Sequence, residues 1–374
     1  VSGAKDFLEF ATNLKPLKGF IRVTGTEGAS ILSDGKQVAK IPSTIELLAK
    51  AQTLSVQKEG YVTQEISIQP TPGYEQNLKI RLLTPEEAVL AAMPTTIKTS
   101  QGLLMRLVSP GTFVIGAPRK DQGRRANETE RLIQITRPFY VGVREIINKE
   151  FRQFKPRHTS GAETFRELSN GLHPAVMLTW EDAVDFCQQL SYRESLELAY
   201  EKINDQYQLI QPVTNGYRLL TEAEWEWLAR FNGGAGKQRY PWGESMPVAT
   251  ESGNYADESG EGLIANILTD YWDGYPVTSP AEKFNPSPLG IYDLGGNVAE
   301  WVNDYYAVYP TNLNQVELDP LGPGEGTVRV IRGSSWRHSS ISSLRFTYRD
   351  YGTLGRLDVG FRIARYTDTS NIDE

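Results

Sequence analysis

The sequence predicts an α+β protein: a small N-terminal β-sandwich, then a long domain with little regular secondary structure. Three observations carry this. Short runs of period-two alternation, broken at glycines, fill residues 17–84. Two clear helical patterns stand in the remainder. Around them lie stretches rich in glycine and aromatic residues.

Residues 1–16, "VSGAKDFLEFATNLKP", are too short to form a domain and read as the end of something cut away. In 17–84, Ile21 and Val23 alternate, as do Ala29 and Ile31, and Leu54 and Val56. Asp34-Gly35 fits a two-residue hairpin turn, and Glu59-Gly60 marks another break. Residues 85–97 read as a linker with some helical propensity, 98–367 as one long domain and 368–374 as a tail. In "TWEDAVDFCQQLSYRES", Trp180, Ala183, Val184, Cys187 and Leu190 share one helical face, with Thr179 placed to cap. Cys187 then points into the core as an inert thiol. In "TEAEWEWLARF", Thr221 and Glu224 have capping-box spacing.

Composition narrows the function classes. The 374 residues carry 39 Lys and Arg against 46 Asp and Glu, a formal charge of −7. No basic excess is available for a nucleic-acid partner. A single cysteine excludes an intrachain disulfide. Three histidines, His158, His173 and His338, would all have to converge to make a His-rich metal centre. No apolar run reaches the roughly 18 residues of a spanning helix. The chain starts at Val1 with no visible signal peptide, as expected of a trimmed fragment whose signal or anchor lies upstream.

The stretches "TEGASILSDGKQVAKIPSTIEL" and "LSVQKEGY" resemble the PEGA domain, with Thr26 where the name-giving motif has Pro. That resemblance implies a spacer or adhesive unit outside the cytoplasmic membrane. Further on, "PGTFVIGAP", "HPAVMLTWEDAVDFCQQL", "GYRLLTEAEWEWLAR", "NPSPLGIYDLGGNVAEWVNDYY", "VIRGSSW" and "GFRIAR" follow one another. In that order they resemble the formylglycine-generating-enzyme family of sulfatase-modifying factors. The resemblance implies a variant of the C-type-lectin fold. It says less about activity, because the family holds oxygen-dependent enzymes, silent relatives and ligand-display scaffolds.

"YDLGGNVAEWVND" sets Asp293, Glu300 and Asp304 in glycine-rich chain, a pattern that suits Ca²⁺. The resemblance implies one ion held by the side chains of Asp293 and Glu300 and the carbonyls of Gly296 and Val298. It implies a second held by the side chains of Asn254 and Asp273 and the carbonyls of Tyr255 and Tyr275. Both ions would be structural. The plain alternative is that these acids cap turns and pair with arginines.

In the family's active enzymes, two cysteines five residues apart bind copper as thiolates, which suit Cu(I). Counted from Gly333, those positions fall on His338 and Ser343, so copper is not expected and the oxidation of a substrate cysteine is excluded in its known form. A Ser–His hydrolase lacks the Gly-x-Ser-x-Gly elbow. An iron centre would need the three histidines to meet. Ala299 stands where the family usually has Trp, and is expected to open a groove with Trp336, His338, Ser343 and Arg345. Arg345, Arg349, Arg356 and Arg362 are expected to pair with buried carboxylates.

The favoured reading is a non-catalytic, Ca²⁺-stabilised binding or assembly module, periplasmic or on a bacterial cell surface, engaging a protein or glycan through aromatics such as those of "YWDGY" and "DYYAVY". The alternatives are an oxidoreductase with an altered metal centre and a lectin-fold ligand-display protein.

Overall fold

The computed structural model describes residues 16–231, 238–246 and 248–367. The expected N-terminal segment, apart from Pro16, and the tail 368–374 lie outside the described residues. The chain divides between Met93 and Pro94 into two compact units.

The first unit is a β-sandwich. One sheet orders Ser43–Leu48, Lys18–Gly25 and Glu75–Ile80; the other orders Lys36–Lys40, Ser30–Ser33, Gln52–Gln57 and Gln64–Ile68. The alternating residues do bury: Ile21, Val23, Ala29, Ile31, Leu54 and Val56 share one core. Asp34 and Gly35 turn the hairpin with φ of 49° and 74°. Both angles are positive, as a primed turn matching strand twist requires. After the last strand, Pro85–Ala92 form helix α1, capped by a reciprocal pair between Thr84 and Glu87.

In the second unit, a five-stranded sheet orders Arg218–Leu219, Ile363–Tyr366, Phe139–Gly142, Leu104–Val108 and Thr96–Lys98. It begins at Thr96, inside the stretch expected to be linker. A four-stranded sheet orders Arg349–Gly352, Arg329–Arg332, Ala299–Tyr305 and Val359–Gly360. Among the described residues three α-helices accompany them: α2 (Asn148–Phe154), α3 (Trp180–Arg193) and α4 (Glu222–Phe231). Thr179 caps α3 through the amide of Asp182, and its apolar face, Cys187 included, joins the larger core. Helix α4 is different. Every residue from Glu222 to Arg230 is buried, three glutamates among them. A helix buried all round is held by more than one apolar stripe. Here arginines from distant strands supply the rest.

Candidate functional site

The strand Arg329–Arg332 pairs with Ala299–Tyr305 on one side and Arg349–Gly352 on the other. This places Arg332 and Arg349 over α4. Arg332 donates to Glu222 Oε1 and Glu226 Oε2, both at 2.7 Å. Arg349 closes on both oxygens of Glu222, at 2.6 and 2.8 Å. Arg218 does the same to Glu224. Burial would push Glu222 up, but Arg349 and Arg332 outweigh it and hold the carboxyl at about 2. Glu224 also caps α4, accepting from the amide of Thr221 at 2.9 Å while its own amide donates to Thr221 Oγ1.

Arg345 lies bidentate on Glu128 and donates to the Gly123 carbonyl at 2.6 Å. Arg356 pairs with Asp350 and Asp358. Arg362 closes on Glu300. All four arginines singled out in the sequence therefore tie irregular chain together through carboxylates, three of them fully within the interior.

The frame of the C-terminal motif is intact. Gly333 turns with φ of 85°, and a Cβ there would press on Trp225 and the Leu294 carbonyl. The Trp336 amide donates to the Asn297 carbonyl at 2.9 Å, which ties "RGSSW" to "GGNVAEW". Within this frame His338 and Ser343 take different partners. His338 Nδ1 accepts from the Ser335 amide at 3.1 Å, and its ring meets Tyr348 edge-on. The Ser343 hydroxyl pairs with Ser340 Oγ at 2.8 Å. Ser335 Oγ donates to Asp358 at 2.9 Å. The acid thus reaches a serine and not the histidine, which is not the order a hydrolytic triad needs.

The three histidines are set apart. His158 Nε2 faces the Val176 carbonyl at 2.8 Å, and His173 Nδ1 faces Thr278 Oγ1 at 2.9 Å. No group of three or more His, Cys, Asp or Glu side chains arranged for a metal occurs among the described residues. Cys187 is buried in α3, and burial pushes its thiol well up, away from the thiolate form.

The groove expected at Ala299, Trp336, His338, Ser343 and Arg345 is not open. Ala299 is 1% exposed and packs in the larger core. The cause is its place on an inner strand, between Arg329–Arg332 and Val359–Gly360. Trp336 fills a second cluster with Leu168, Val176, Val277 and Val298. Ser343 and Arg345 are also buried, and only His338 reaches the surface.

The calcium positions divide. Tyr255 and Tyr275 both turn their amides onto Asp273, at 2.8 Å each. Neighbouring Asn254 is fully buried; its Nδ2 donates to the Val277 carbonyl, and its Oδ1 has no partner. An orphaned buried side-chain carbonyl, next in the chain to an amide held by a partly buried acid, is the donor type a cation ligand set uses. Burial raises Asp273 to about 7. The first set fits less well. Glu300 is not open: Arg362 holds both its oxygens, and Trp225 Nε1 donates to it at 3.0 Å. The sequence offered no reason to single out Glu145, yet it is wholly buried with neither carboxylate oxygen bonded. Burial, then the charge of Asp293, push it well above the usual carboxylate range. Asp293 itself rises to about 6 through burial. Arg362 thus bears on Glu145, Asp293 and Glu300 together, and Arg144 bears on Glu145 as well.

The aromatics of the two candidate glycan stretches mostly pack inward. Tyr271 is buried, Tyr309 stacks on Arg131, and Tyr306 lies against Tyr351. Trp272, 68% exposed, is the ring that stays in solvent.

A capped, arginine-tied fold with little regular structure is the class these features define. The chain belongs to the sulfatase-modifying factor enzyme 1-like domain family, which matches residues 91–367, and a PEGA domain matches residues 21–85. It is 31% identical over 208 residues to the formylglycine-generating enzyme of Streptomyces coelicolor, covering 53% of this chain and 54% of that protein. It is 27% identical over 310 residues to the chaperone protein LppX of Paenibacillus barcinonensis, covering 76% of this chain and 98% of that protein. The chain spans about half the length of the bacterial formylglycine-generating enzymes it matches. Treponema denticola variable protein 1 shares the fold at a TM-score of 0.57 and 21% identity, over 74% of this chain and all of that one. PvdO from Pseudomonas aeruginosa does so at 0.53 and 22%, over 73% and 98%.

Proposed function

We propose that this chain is a non-catalytic, Ca²⁺-tethered binding or assembly module of an exported bacterial protein. One observation carries the reading. The two positions that the family's oxidases fill with copper-binding thiolates hold His338 and Ser343, and each is already bonded within its own loop. Serine is a poor copper ligand, and the one thiol of the chain sits in the core. The alignment with nearly the whole of a protein named a chaperone supports a role in holding another protein. That relative and the PEGA domain support a location outside the cytoplasm. The ligand is then a protein or a glycan, with exposed Trp272 as the aromatic to meet it.

Calcium tethers loops in this reading. Asn254, Tyr255, Asp273 and Tyr275 hold one ion. At the other place Glu145 joins Asp293, Gly296 and Val298, while Glu300 stays with Arg362. A divalent cation at this place would draw buried Glu145 and partly buried Asp293, whose carboxyls burial pushes up, into their ionised form. The test is elemental analysis of the purified chain with oxygen uptake in the presence of a cysteine-containing peptide. Calcium without copper or iron, and no uptake, is the expected result. Stoichiometric copper or iron lost in His338→Ala would overturn the reading.

A further inference from the structure

Arg329 differs from most of the buried arginines of the second unit. Arg218, Arg332, Arg345, Arg349 and Arg362 each hold a glutamate. Arg329 is 9% exposed and forms no ion pair with any described carboxylate. Its guanidinium lies between two rings, 3.5 Å from the centroid of Trp180 and 3.4 Å from that of Tyr305. The rings offset part of the cost of burying the charge. They also close both faces, so a partner must come to the edge. Two of its five N–H donors are used: Nη1 bonds the Asn303 carbonyl at 2.8 Å, and Nη2 the Tyr207 carbonyl at 3.3 Å. Three remain. Arg329 also lines a cavity of about 80 Å³, walled by Tyr207, Gln208, Asn303, Tyr305, Gly322 and Gly324 among others.

We propose that this cavity binds a monocarboxylate, whose planar head takes the free edge of Arg329. The chemistry selects the charge. A planar, always-charged guanidinium matches a carboxylate in two parallel hydrogen bonds. Among the described residues no second cation lines the cavity, so a doubly charged anion such as phosphate would be left half-compensated. The size admits a carboxylate and a short stem. Such a group comes either from a small free acid or from the C-terminus of a peptide. Apart from Arg329, the described residues of the walls are uncharged, and the side chains of Gln208 and Gln211 stand exposed beside it.

The test is calorimetric titration of the full chain with propionate, with a dipeptide acid, with the same dipeptide as its amide, and with inorganic phosphate. Saturable 1:1 binding of an acid, with no binding of the amide or of phosphate, is expected. Tighter binding of propionate or of the dipeptide acid tells which source the site serves. Arg329→Gln should weaken it on the order of tenfold or more. Gly324→Leu is the folded control: a Cβ at Gly324 meets nothing within 4 Å and its φ is not positive, so leucine can occlude the cavity without strain. It should abolish binding while leaving the melting temperature unchanged. Undiminished binding in Gly324→Leu, amide binding as tight as acid binding, phosphate binding as tight as carboxylate binding, or no saturable binding of either acid would overturn the proposal.

Discussion

Arg362 lies bidentate on Glu300, 62 residues earlier in the chain, and the indole of Trp225 donates to the same carboxylate. The three come from different parts of the second unit, and each is buried. Removing one partner of such a pair strands the other charge, which costs roughly 3–5 kcal/mol. Arg362→Met should cost the most, because it also removes a cation that favours the ionised forms of Glu145 and Asp293. The double variant Glu300→Gln/Arg362→Met should recover part of that loss. Denaturant unfolding of both variants checks this, and a double variant no better than Arg362→Met would mean that the pair is not the cause.

The calcium reading predicts a gain in stability that depends on free ion. A ligand that binds the folded state alone stabilises by RT ln(1 + [L]/Kd). Thermal melts with Ca²⁺ and with chelator should therefore differ by several degrees. Asp273→Asn should remove the part due to one ion, since Asp273 is pinned between the amides of Tyr255 and Tyr275. Glu145→Gln should remove the part due to the other. An unchanged midpoint in wild-type protein would end the tether idea.

The β-sandwich offers a sharper steric test. Gly25 ends its strand with φ of +132°, where a Cβ would fall 1.7 Å from the Ile80 carbonyl oxygen. No side chain fits that approach without moving the parallel strand Glu75–Ile80. Gly25→Ala should unfold the first unit and leave the melting of the second in place, because each has its own core. Gly35→Ala, with open space and φ of +74°, should cost only about 1 kcal/mol. Limited proteolysis of the two variants separates these outcomes.

Where local rules suffice, the sequence was legible. Period-two alternation and Asp34-Gly35 foretold the sandwich, and Thr179 and Thr221 marked two helix starts. The arginine pairings were legible in kind but not in partner. Arg345 and Glu128 are 217 residues apart, and no spacing rule reaches that far. The expected groove does not open, because Ala299 sits on an inner strand, and the place of a strand in its sheet is not legible from one substitution. Glu145 and Arg329 were missed for a related reason. An unpaired buried charge is defined by what fails to surround it, and that appears only after folding.

His173 gives a pH test with a definite sign. It is buried against Thr278, and burial holds it down at about 4, against about 6.5 when exposed. The unfolded chain therefore binds this proton more tightly. Its contribution to stability is complete above pH 6.5 and lost as pH falls toward 4, by about 3 kcal/mol at most. His158 and His338 are depressed as well, again chiefly by burial, and act in the same direction. Asp273, Asp293 and Asp304 are raised and act oppositely. The total curve therefore mixes signs, and the useful quantity is a difference. His173→Asn keeps a polar group in reach of Thr278 but does not titrate. Wild-type stability minus variant stability, from urea unfolding at each pH, should fall steadily between pH 6.5 and 4 and stay flat from 7 to 8. A flat difference throughout would show that His173 is not held neutral by its surroundings.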